Sequence, residues 1–353
     1  MVWATNGQLK VKVMSNSKFQ NALNRVPQAV PPVWMMRQAG RYHKHYQALK
    51  EKHDFMTLCK EPELAAQVAL GPIEDFDFDV SILFSDLLFP LEALGMNLKY
   101  APGPQFDKNL ELSDLSNLKS HDEAIAFMKF QAEAVKITRE MLPDSKSLIG
   151  FVGGPWTLFT YAVAGGHDGN LILPKTQPQF FESFCERMIP LLVDNITLQK
   201  EAGCEVVMVF DTAAGELSPA YYNQYIVPQL DKLAKAHPGI LGYYSKYTHE
   251  KHLAPNVFSN QNWAGFGVDH RWSLPDVLQK SQHGFRQGNF DQSLLFMEPD
   301  DFKKQLRDFL QSFKQLSPEE RAGWVCGLGH GVLPKTPEEN VRSFVNIVRE
   351  EMA

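Results

Sequence analysis

The chain has few cysteines, no long apolar run and no long run of one charge. Its 353 residues carry 35 basic and 41 acidic side chains, a balance that argues against nucleic-acid binding. No apolar run is long enough to cross a bilayer, and no charged-then-apolar leader opens the sequence. These absences predict a soluble cytoplasmic protein that binds neither membrane nor nucleic acid. The four cysteines show no paired spacing, so we expect reduced thiols at Cys59, Cys185, Cys204 and Cys326.

Short β-branched or aromatic runs alternate with amphipathic segments about eight times along the chain. The predicted strands are Val33–Met36, Val80–Phe84, Ser147–Val152, Val206–Phe210, Ile240–Ser245, Gly265–Val268, Phe285–Asn289 and Trp324–Leu328. The predicted helices are Pro62–Phe76, His121–Met141, Gln179–Ala202, Pro219–Ala236, Leu274–Lys280, Pro299–Phe313 and Thr336–Glu350.

This alternation is typical of the α/β class, and no linker rich in proline, glycine or serine divides the chain. We therefore predict that residues 1–353 form a single (β/α)8 TIM-type barrel, with an active-site cleft at the C-terminal ends of the strands. The segment Lys99–Asn117 is predicted to be an inserted loop. Residues 1–15 are predicted to be a frayed or docking arm.

Two arginines follow the first predicted strand. Arg37 and Arg41 are four residues apart around Gly40, directly after an apolar run. Guanidinium groups at this spacing offer forked donors on one side, which suits a ligand with several carboxylates. Ordinary ion pairs at the surface are the alternative interpretation.

Other polar residues also follow predicted strands, where the chemistry of such barrels is found. Asp86 can serve the cleft or cap the helix after it, and Tyr161 can serve the cleft or pack in the barrel wall. Ser218 precedes Pro219 and so resembles a helix N-cap, which is compatible with binding an anion. His330 lies among glycines that allow a ligand to approach, although a lone histidine is more often structural. Asp211 also follows a predicted strand.

Seven segments, in order, resemble the uroporphyrinogen decarboxylase family over nearly the whole length. They are Pro32–Tyr42, Phe84–Met96, Gly150–Gly166, Phe210–Pro219, Gly267–Asp269, Gln287–Asp291 and Gly327–Pro337. The resemblance implies a (β/α)8 barrel, commonly a homodimer, that uses no metal and no cofactor. It implies conversion of uroporphyrinogen III into coproporphyrinogen III, in which four acetate side chains lose carbon dioxide and become methyl groups. It assigns substrate binding to Arg37, Arg41, Asp86, Tyr161, Ser218 and His330, and catalysis to Asp86, Arg37 and Tyr161.

The implied reaction needs an electron sink, because loss of carbon dioxide from an acetate leaves a carbanion. A pyrrole protonated on carbon can be that sink without a cofactor. We expect the Asp86 carboxylate to accept pyrrole N–H bonds and to stabilise the cationic ring. Arg37 and Arg41 are expected to hold substrate carboxylates, and the ordinary pKa of arginine is too high for easy proton donation. The proton donor is therefore left open.

The chain departs from the family pattern at several positions. Lys50 stands where the family usually has arginine, and Ala213 where it usually has tryptophan. His270 replaces a second tryptophan, and Tyr244–Tyr247 replaces a glycine-rich turn. We expect the catalytic core to survive these changes, with effects on affinity and on isomer preference.

Two alternatives stay open from the sequence. One is a zinc-dependent corrinoid or thiol methyltransferase of the same superfamily, which needs a His-x-Cys ligand pair. None of the eleven histidines has a cysteine two residues later, and Cys326 with His330 does not supply that site. The other is a non-catalytic tetrapyrrole-binding protein. Retention of Asp86 with both arginines favours the enzyme.

Overall fold

A computed structural model describes residues 15–100, 103–167, 169–253 and 260–353. The arm predicted over residues 1–15 lies outside the described residues except for Ser15. Ser15 itself donates a 2.7 Å hydrogen bond to Glu205 Oε2, and the neighbouring Asn16 caps the first helix. The described chain therefore begins in contact with the body of the protein.

The strands within these ranges form one parallel sheet and one hairpin. They are β1 (Val80–Ile82), β2 (Leu98–Tyr100), β3 (Pro104–Phe106), β4 (Ser147–Gly153), β5 (Val206–Phe210), β6 (Leu241–Tyr244), β7 (Trp263–Gly267), β8 (Phe285–Phe290) and β9 (Trp324–Leu328). The seven-stranded sheet has the order β1-β4-β5-β6-β7-β8-β9, and all its neighbours are parallel. Every residue of these seven strands is buried, as expected for a parallel sheet covered by helices.

The α-helices connect and cover the strands. They are α1 (Ser17–Leu23), α2 (Lys44–Lys50), α3 (Phe55–Lys60), α4 (Pro62–Phe76), α5 (Phe89–Ala93), α6 (His121–Met141), α7 (Pro155–Ala164), α8 (Ile172–Thr176), α9 (Pro178–Glu201), α10 (Pro219–Tyr221), α11 (Val227–Ala236), α12 (Glu250–Leu253), α13 (Leu274–Lys280), α14 (Pro299–Lys314) and α15 (Glu338–Met352). Shorter 3-10 turns cover Leu112–Asn117, Ala214–Glu216 and Gln292–Phe296, and a π-helical turn covers Tyr222–Ile226. None of the described helices combines the length and apolar character that a bilayer crossing requires.

The first predicted strand, Val33–Met36, is not a strand in this structure. Val33 forms an isolated parallel bridge with Cys326 in β9, with Trp34 N–H donating to Cys326 O at 3.0 Å. On its other side Val33 N–H donates to the Asp79 side chain at 2.8 Å, and Asp79 N–H donates to Val33 O at 3.1 Å. A carboxylate thus takes the place of a ladder carbonyl, which is why no regular pairing with β1 develops. The segment nevertheless bonds to both edges of the sheet.

Two other predictions need correction. The predicted helix Pro219–Ala236 is divided into α10, the π-helical turn and α11. Pro228 in the first turn of α11 has no N–H to continue the regular bonding, which explains the wider turn before it. The segment Lys99–Asn117 was predicted to be an irregular loop, but it contains part of the β2–β3 hairpin and a 3-10 helix.

The main core is a continuous set of buried apolar side chains that extends from Phe19 to Met352, and Tyr46, Leu58 and Val68 form a smaller cluster beside it. Helix α6 packs between α4 and α9, which contact β1, β4 and β5, and α14 packs against α15. Trp324 of β9 stacks on Phe313 of α14 with ring centroids 3.8 Å apart. Residues from both ends of the chain therefore share one apolar interior.

Candidate active site

The predicted site residues lie beyond the carboxyl ends of the parallel strands, at one edge of the sheet. Asp86 follows β1, Tyr161 lies in the helix after β4, and His330 follows β9. Arg37 and Arg41 follow the Val33 bridge, which runs parallel to β9. Parallel strands direct their carboxyl ends to the same edge, so these segments share one face of the protein.

Asp86 closes the turn just before α5. Its Oδ1 accepts a 2.9 Å hydrogen bond from the N–H of Leu88, the N-cap residue of α5, but no side chain caps the helix itself, so the alternative prediction that Asp86 caps this helix is wrong. Burial raises the pKa of the Asp86 carboxyl above its ordinary value, and Tyr100, Leu88 N–H and the charge of Arg37 partly oppose this. The Tyr100 hydroxyl is buried and points towards Asp86 without completing a hydrogen bond of normal geometry. A cationic group beside Asp86 would relieve the cost of its burial.

Arg37 is held in an unusual backbone conformation. Its φ angle is +61°, a left-handed value that costs a non-glycine residue roughly 1–2 kcal/mol. The carbonyl before it, Met36 O, accepts a 2.9 Å bond from Val332 N–H, which ties this turn to the segment after β9. The side chain lies over Gly331, where an added Cβ would come within 2.5 Å of Arg37 Cδ. The turn and the glycine together direct this guanidinium along the cleft.

The two predicted arginines are exposed and available for anions. Neither Arg37 nor Arg41 forms an ion pair with any residue that the structure describes. The alternative interpretation, ordinary surface ion pairs, therefore has no support within those residues. The positive charge of Arg37 partly opposes the rise in the pKa of Asp86 and, after burial, contributes to lowering the pKa of His330. Arg41 lies close to the phenol of Tyr46.

His330 is joined to Tyr244 at the end of β6. Tyr244 Oη donates to Gly329 O at 2.7 Å and lies 3.0 Å from His330 Nδ1. Because the single hydroxyl proton is used on a carbonyl, Nδ1 must be the N–H donor to Tyr244 Oη. Burial, and then the charges of Arg37 and Lys246, lower the pKa of His330 to about 3. The neutral ring therefore presents Nε2 as an acceptor for a pyrrole N–H or a protonated carboxyl group.

Further cationic side chains surround His330. Lys246 is half-buried, with its ammonium 4.3 Å from the centre of the Tyr247 ring, and it forms no ion pair with a described residue. Arg271 lies over the same ring at 4.1 Å, but it is paired with Asp269 through both carboxylate oxygens. The side of the cleft near His330 thus has a positive charge at Lys246 that described carboxylates do not neutralise.

Tyr161 and Ser218 make different local contacts. Tyr161 is half-buried on α7, and its ring centroid lies 5.6 Å from that of His167. Ser218 is exposed and accepts a 3.2 Å bond from Tyr221 N–H, which confirms its predicted capping role. No described contact joins it to the other predicted site residues, and its substrate contact stays a prediction.

Sequence reasoning missed Tyr100 and Thr212. Thr212 is half-buried and stands two residues beyond the end of β5, whereas Ser218 follows six residues later. Phe210, the last residue of β5, packs against Tyr244, the partner of His330, with ring centroids 6.3 Å apart. Tyr100 approaches Asp86 only through the hairpin.

The departures from the family pattern lie at different depths. Ala213 is fully buried and its N–H donates to Thr157 Oγ1 at 3.0 Å, so it does not line an open surface. Lys50 is exposed at the end of α2. His270 lies 3.8 Å from Asp291 Oδ2. Of the three, Ala213 is the one fully removed from direct contact with a ligand.

The described part of the chain offers no ligand set of the kind that the zinc-dependent alternative requires. Within it, no three His, Cys, Asp or Glu side chains come together in a way that could hold a metal ion. All four cysteines are free and buried, and burial raises the pKa of the Cys326 thiol well above its ordinary value. Cys326 is a core residue of β9 that faces no solvent.

The fold defines an α/β protein in which two exposed arginines, an aspartate and a histidine follow the strands at the carboxyl edge of a curled parallel sheet. The family model for uroporphyrinogen decarboxylase matches residues 14–351. The chain is 32% identical to uroporphyrinogen decarboxylase from Chlorobium phaeovibrioides, over 97% of this chain and 99% of that one. It is 34% identical to the same enzyme from Pseudoalteromonas atlantica, over 96% and 98%. The chain belongs to the uroporphyrinogen decarboxylase family.

A comparison of folds agrees with the observed architecture. A methyltransferase structure from Methanosarcina mazei superimposes with a TM-score of 0.76, covering 96% of this chain and 99% of that chain. The two sequences are 20% identical, so the likeness concerns the fold alone. It supports the curled parallel α/β architecture without bearing on chemistry.

Proposed function

We propose that this chain converts uroporphyrinogen III into coproporphyrinogen III by removing carbon dioxide from four acetate side chains. Relatives named uroporphyrinogen decarboxylase cover nearly the whole chain. The observation that carries the proposal is that half-buried Asp86 and exposed Arg37 and Arg41 follow neighbouring segments at the carboxyl edge of the parallel sheet, with burial raising the pKa of Asp86. That combination suits a substrate that is anionic at its rim and becomes cationic at its centre.

Arg37 and Arg41 are proposed to hold substrate carboxylates. Both guanidiniums are exposed at the strand-end edge, and Arg37 is directed by its turn and by Gly331. A charged hydrogen bond contributes about 1.5–3 kcal/mol, so several such contacts can fix one acetate over the reacting position. Lys246, beside His330, adds a further positive charge for a carboxylate of the same substrate.

Asp86 is proposed to stabilise the cationic ring. A proton added to a pyrrole carbon makes the ring cationic, and the C–C bond to the carboxylate then breaks. Its electron pair forms an exocyclic double bond, neutralises the ring and releases carbon dioxide. A second proton converts the exocyclic carbon into a methyl group, and loss of the first proton restores the pyrrole. Asp86 accepts the pyrrole N–H bonds throughout, and its attraction is strong because its site is poorly solvated.

The remaining residues are proposed to orient the substrate. His330 Nε2 accepts a pyrrole N–H or a protonated carboxyl group, because its Nδ1–H is committed to Tyr244. Tyr161 and either Ser218 or Thr212 are proposed to contact the opposite side, and the position of Thr212 at the strand end favours Thr212. Because the pKa of His330 is lowered to about 3, a neutral imidazole is not proposed as the proton donor.

We propose that the sheet closes as a (β/α)8 barrel, with the segment around Val33 joining β9 and β1. The hydrogen bonds of Pro32 and Trp34 to Cys326 on one side, and of Val33 to Asp79 on the other, support this. The continuous core supports a single domain over residues 1–353. A cytoplasmic homodimer, predicted from the sequence, stays part of the proposal, and sedimentation equilibrium would test the dimer.

Anaerobic incubation with freshly reduced uroporphyrinogen III tests the reaction, with oxidised products separated by carboxylate number. Asp86→Asn keeps the shape and removes the charge, and it should lower turnover roughly 100-fold or more. Asp107→Asn removes an exposed carboxylate that pairs with Lys99 and is the matched control, expected to act as wild type. No conversion by folded wild-type protein would exclude the enzyme. Binding of the porphyrin without conversion would then support the non-catalytic alternative, and a zinc requirement would support the methyltransferase.

A further inference from the structure

Asp211 is a fully buried carboxylate that the proposed chemistry does not use. It follows β5 directly, and its Oδ1 accepts bonds from Thr157 N–H at 2.7 Å and from Thr157 Oγ1 at 2.8 Å. Thr157 Oγ1 in turn accepts a 3.0 Å bond from Ala213 N–H. The Thr157 hydroxyl therefore donates one hydrogen bond and accepts one. Together these bonds form a closed hydrogen-bonded ring that joins the end of β5 to the first turn of α7.

At position 154, α7 and the end of β5 come too close together for any residue other than glycine. Gly154 N–H donates to Phe210 O at 2.8 Å. A Cβ at Gly154 would overlap the side chain of Asp211 and come within 2.7 Å of its Cα. Glycine is thus required for the helix to begin against the carboxylate. The same approach leaves no room for a longer side chain at position 211.

Burial of this carboxylate is costly, and one oxygen receives no compensation from described residues. Asp211 Oδ2 is buried without a hydrogen-bond partner among them. Burial raises the pKa of Asp211 to about 6, although the bonds from Thr157 and Trp156 N–H favour the ionised form. An apolar or amide side chain would avoid this cost, so a structural filler does not account for a carboxylate here.

The hydrogen-bonded ring joins the segments that follow two neighbouring parallel strands, β4 and β5. Thr157 and Tyr161 are four residues apart on α7, so they lie on the same face of the helix. Thr212 lies between Asp211 and Ala213, the two ends of the ring on the β5 side. The bonds to Thr157 therefore set where Tyr161 and Thr212 stand relative to each other.

We propose that Asp211 is a positioning residue, which locks the first turn of α7 to the end of β5 and so fixes the separation of Tyr161 and Thr212 at the carboxyl edge of the neighbouring strands β4 and β5. The ligand that this separation serves is the tetrapyrrole polycarboxylate of the proposed function, on which this part of the inference rests. Asp211 acts through Thr157 and does not itself touch the substrate. A displacement of about 1 Å at such a distance can cost roughly 100-fold in rate.

Variants of Thr157 test the lock and leave the buried charge in place. Thr157→Val removes both hydroxyl bonds, whereas Thr157→Ser keeps them. Thr160→Val is the matched control, because Thr160 is equally buried on the same helix and its hydroxyl bonds to Thr157 O at 2.9 Å, away from Asp211. We expect T157V to lower kcat for uroporphyrinogen III about tenfold or more, with KM changed less than kcat. T157S and T160V should stay close to wild type.

Hydrogen exchange of the α7 amides provides a readout that does not depend on turnover. The first turn of α7 should exchange faster in T157V than in T160V, at equal thermal stability of the two variants. If wild-type protein converts no uroporphyrinogen, the proposed function fails, and the exchange data still decide whether the lock exists. The inference is overturned if T157V and T160V lose kcat and exchange protection equally, because Thr157 would then be a packing residue only.

Discussion

The Tyr244 hydroxyl lies 3.0 Å from His330 Nδ1, and the same hydroxyl donates to Gly329 O at 2.7 Å. The two residues come from strands that are far apart in the sequence, yet their rings stack with centroids 5.8 Å apart. The arrangement selects one neutral tautomer of the imidazole and directs its unprotonated nitrogen away from Tyr244. The chemical character of His330 is therefore determined by a residue outside the predicted set.

Tyr244→Phe should weaken catalysis through His330. Without the hydroxyl, His330 Nδ1 loses its acceptor and the ring is free to change tautomer or to turn. We expect kcat/KM for uroporphyrinogen III to fall about five- to tenfold, the equivalent of one ordinary hydrogen bond. Tyr243→Phe is the control, because Tyr243 is equally buried and its hydroxyl bonds to Tyr222 at 2.9 Å. Equal losses in the two variants would mean that the His330 contact has no special effect.

Gly331→Ala should displace Arg37 without straining the backbone. The new methyl group would come within 2.5 Å of Arg37 Cδ, so the flexible side chain must move. We expect KM to rise roughly tenfold, since a carboxylate contact of about 1.5–3 kcal/mol is weakened, with little change in melting temperature.

Gly166→Ala is the control for this change, because a Cβ there meets no described atom within 4 Å. Steady-state kinetics and a thermal melt of both variants suffice. An unchanged KM in G331A would show that the position of Arg37 over this glycine does not matter for substrate binding.

Asp211 should make the folded state less stable as the pH rises through its titration. Burial raises its pKa from 3.8 to about 6, so between these values the folded protein binds more protons than the unfolded chain. The contribution to the free energy of unfolding is therefore complete below about pH 4 and falls by about 3 kcal/mol as pH passes 6.

Asp211→Asn removes this titration. The difference in unfolding free energy between wild type and D211N, measured by urea denaturation from pH 4.5 to 7.5, should move in favour of D211N as the pH rises. A difference that is constant across this range would show that Asp211 keeps an ordinary pKa in the folded protein.

Several elements could be predicted from local patterns, because the apolar residues within each segment are enough to indicate which of its side chains are buried. The strands Val206–Phe210 and Trp324–Leu328 and the helices Pro62–Phe76, His121–Met141 and Leu274–Lys280 are confirmed with the bounds predicted. Apolar β-branched runs and capped amphipathic segments carry that information within a few residues.

Other features depend on distant partners and could not be predicted in this way. Val33–Met36 has the composition of a strand, but the Asp79 side chain takes the N–H of Val33. Tyr100 approaches Asp86 only because the β2–β3 hairpin folds over it. In the candidate site, the sequence indicated residues after strands but could not relate Tyr244 to His330.

The hydrogen bonds of Pro32 and Trp34 to Cys326 also have a consequence for biosynthesis. A ribosome delivers the arginine-bearing turn first and Cys326 close to the end. Until that cysteine has left the exit tunnel, the turn has no partner on one side, and Gly331 is not yet present to support Arg37. A nascent chain can therefore carry most of the helices and strands before the arginine-bearing turn gains its contacts with Cys326 and Gly331.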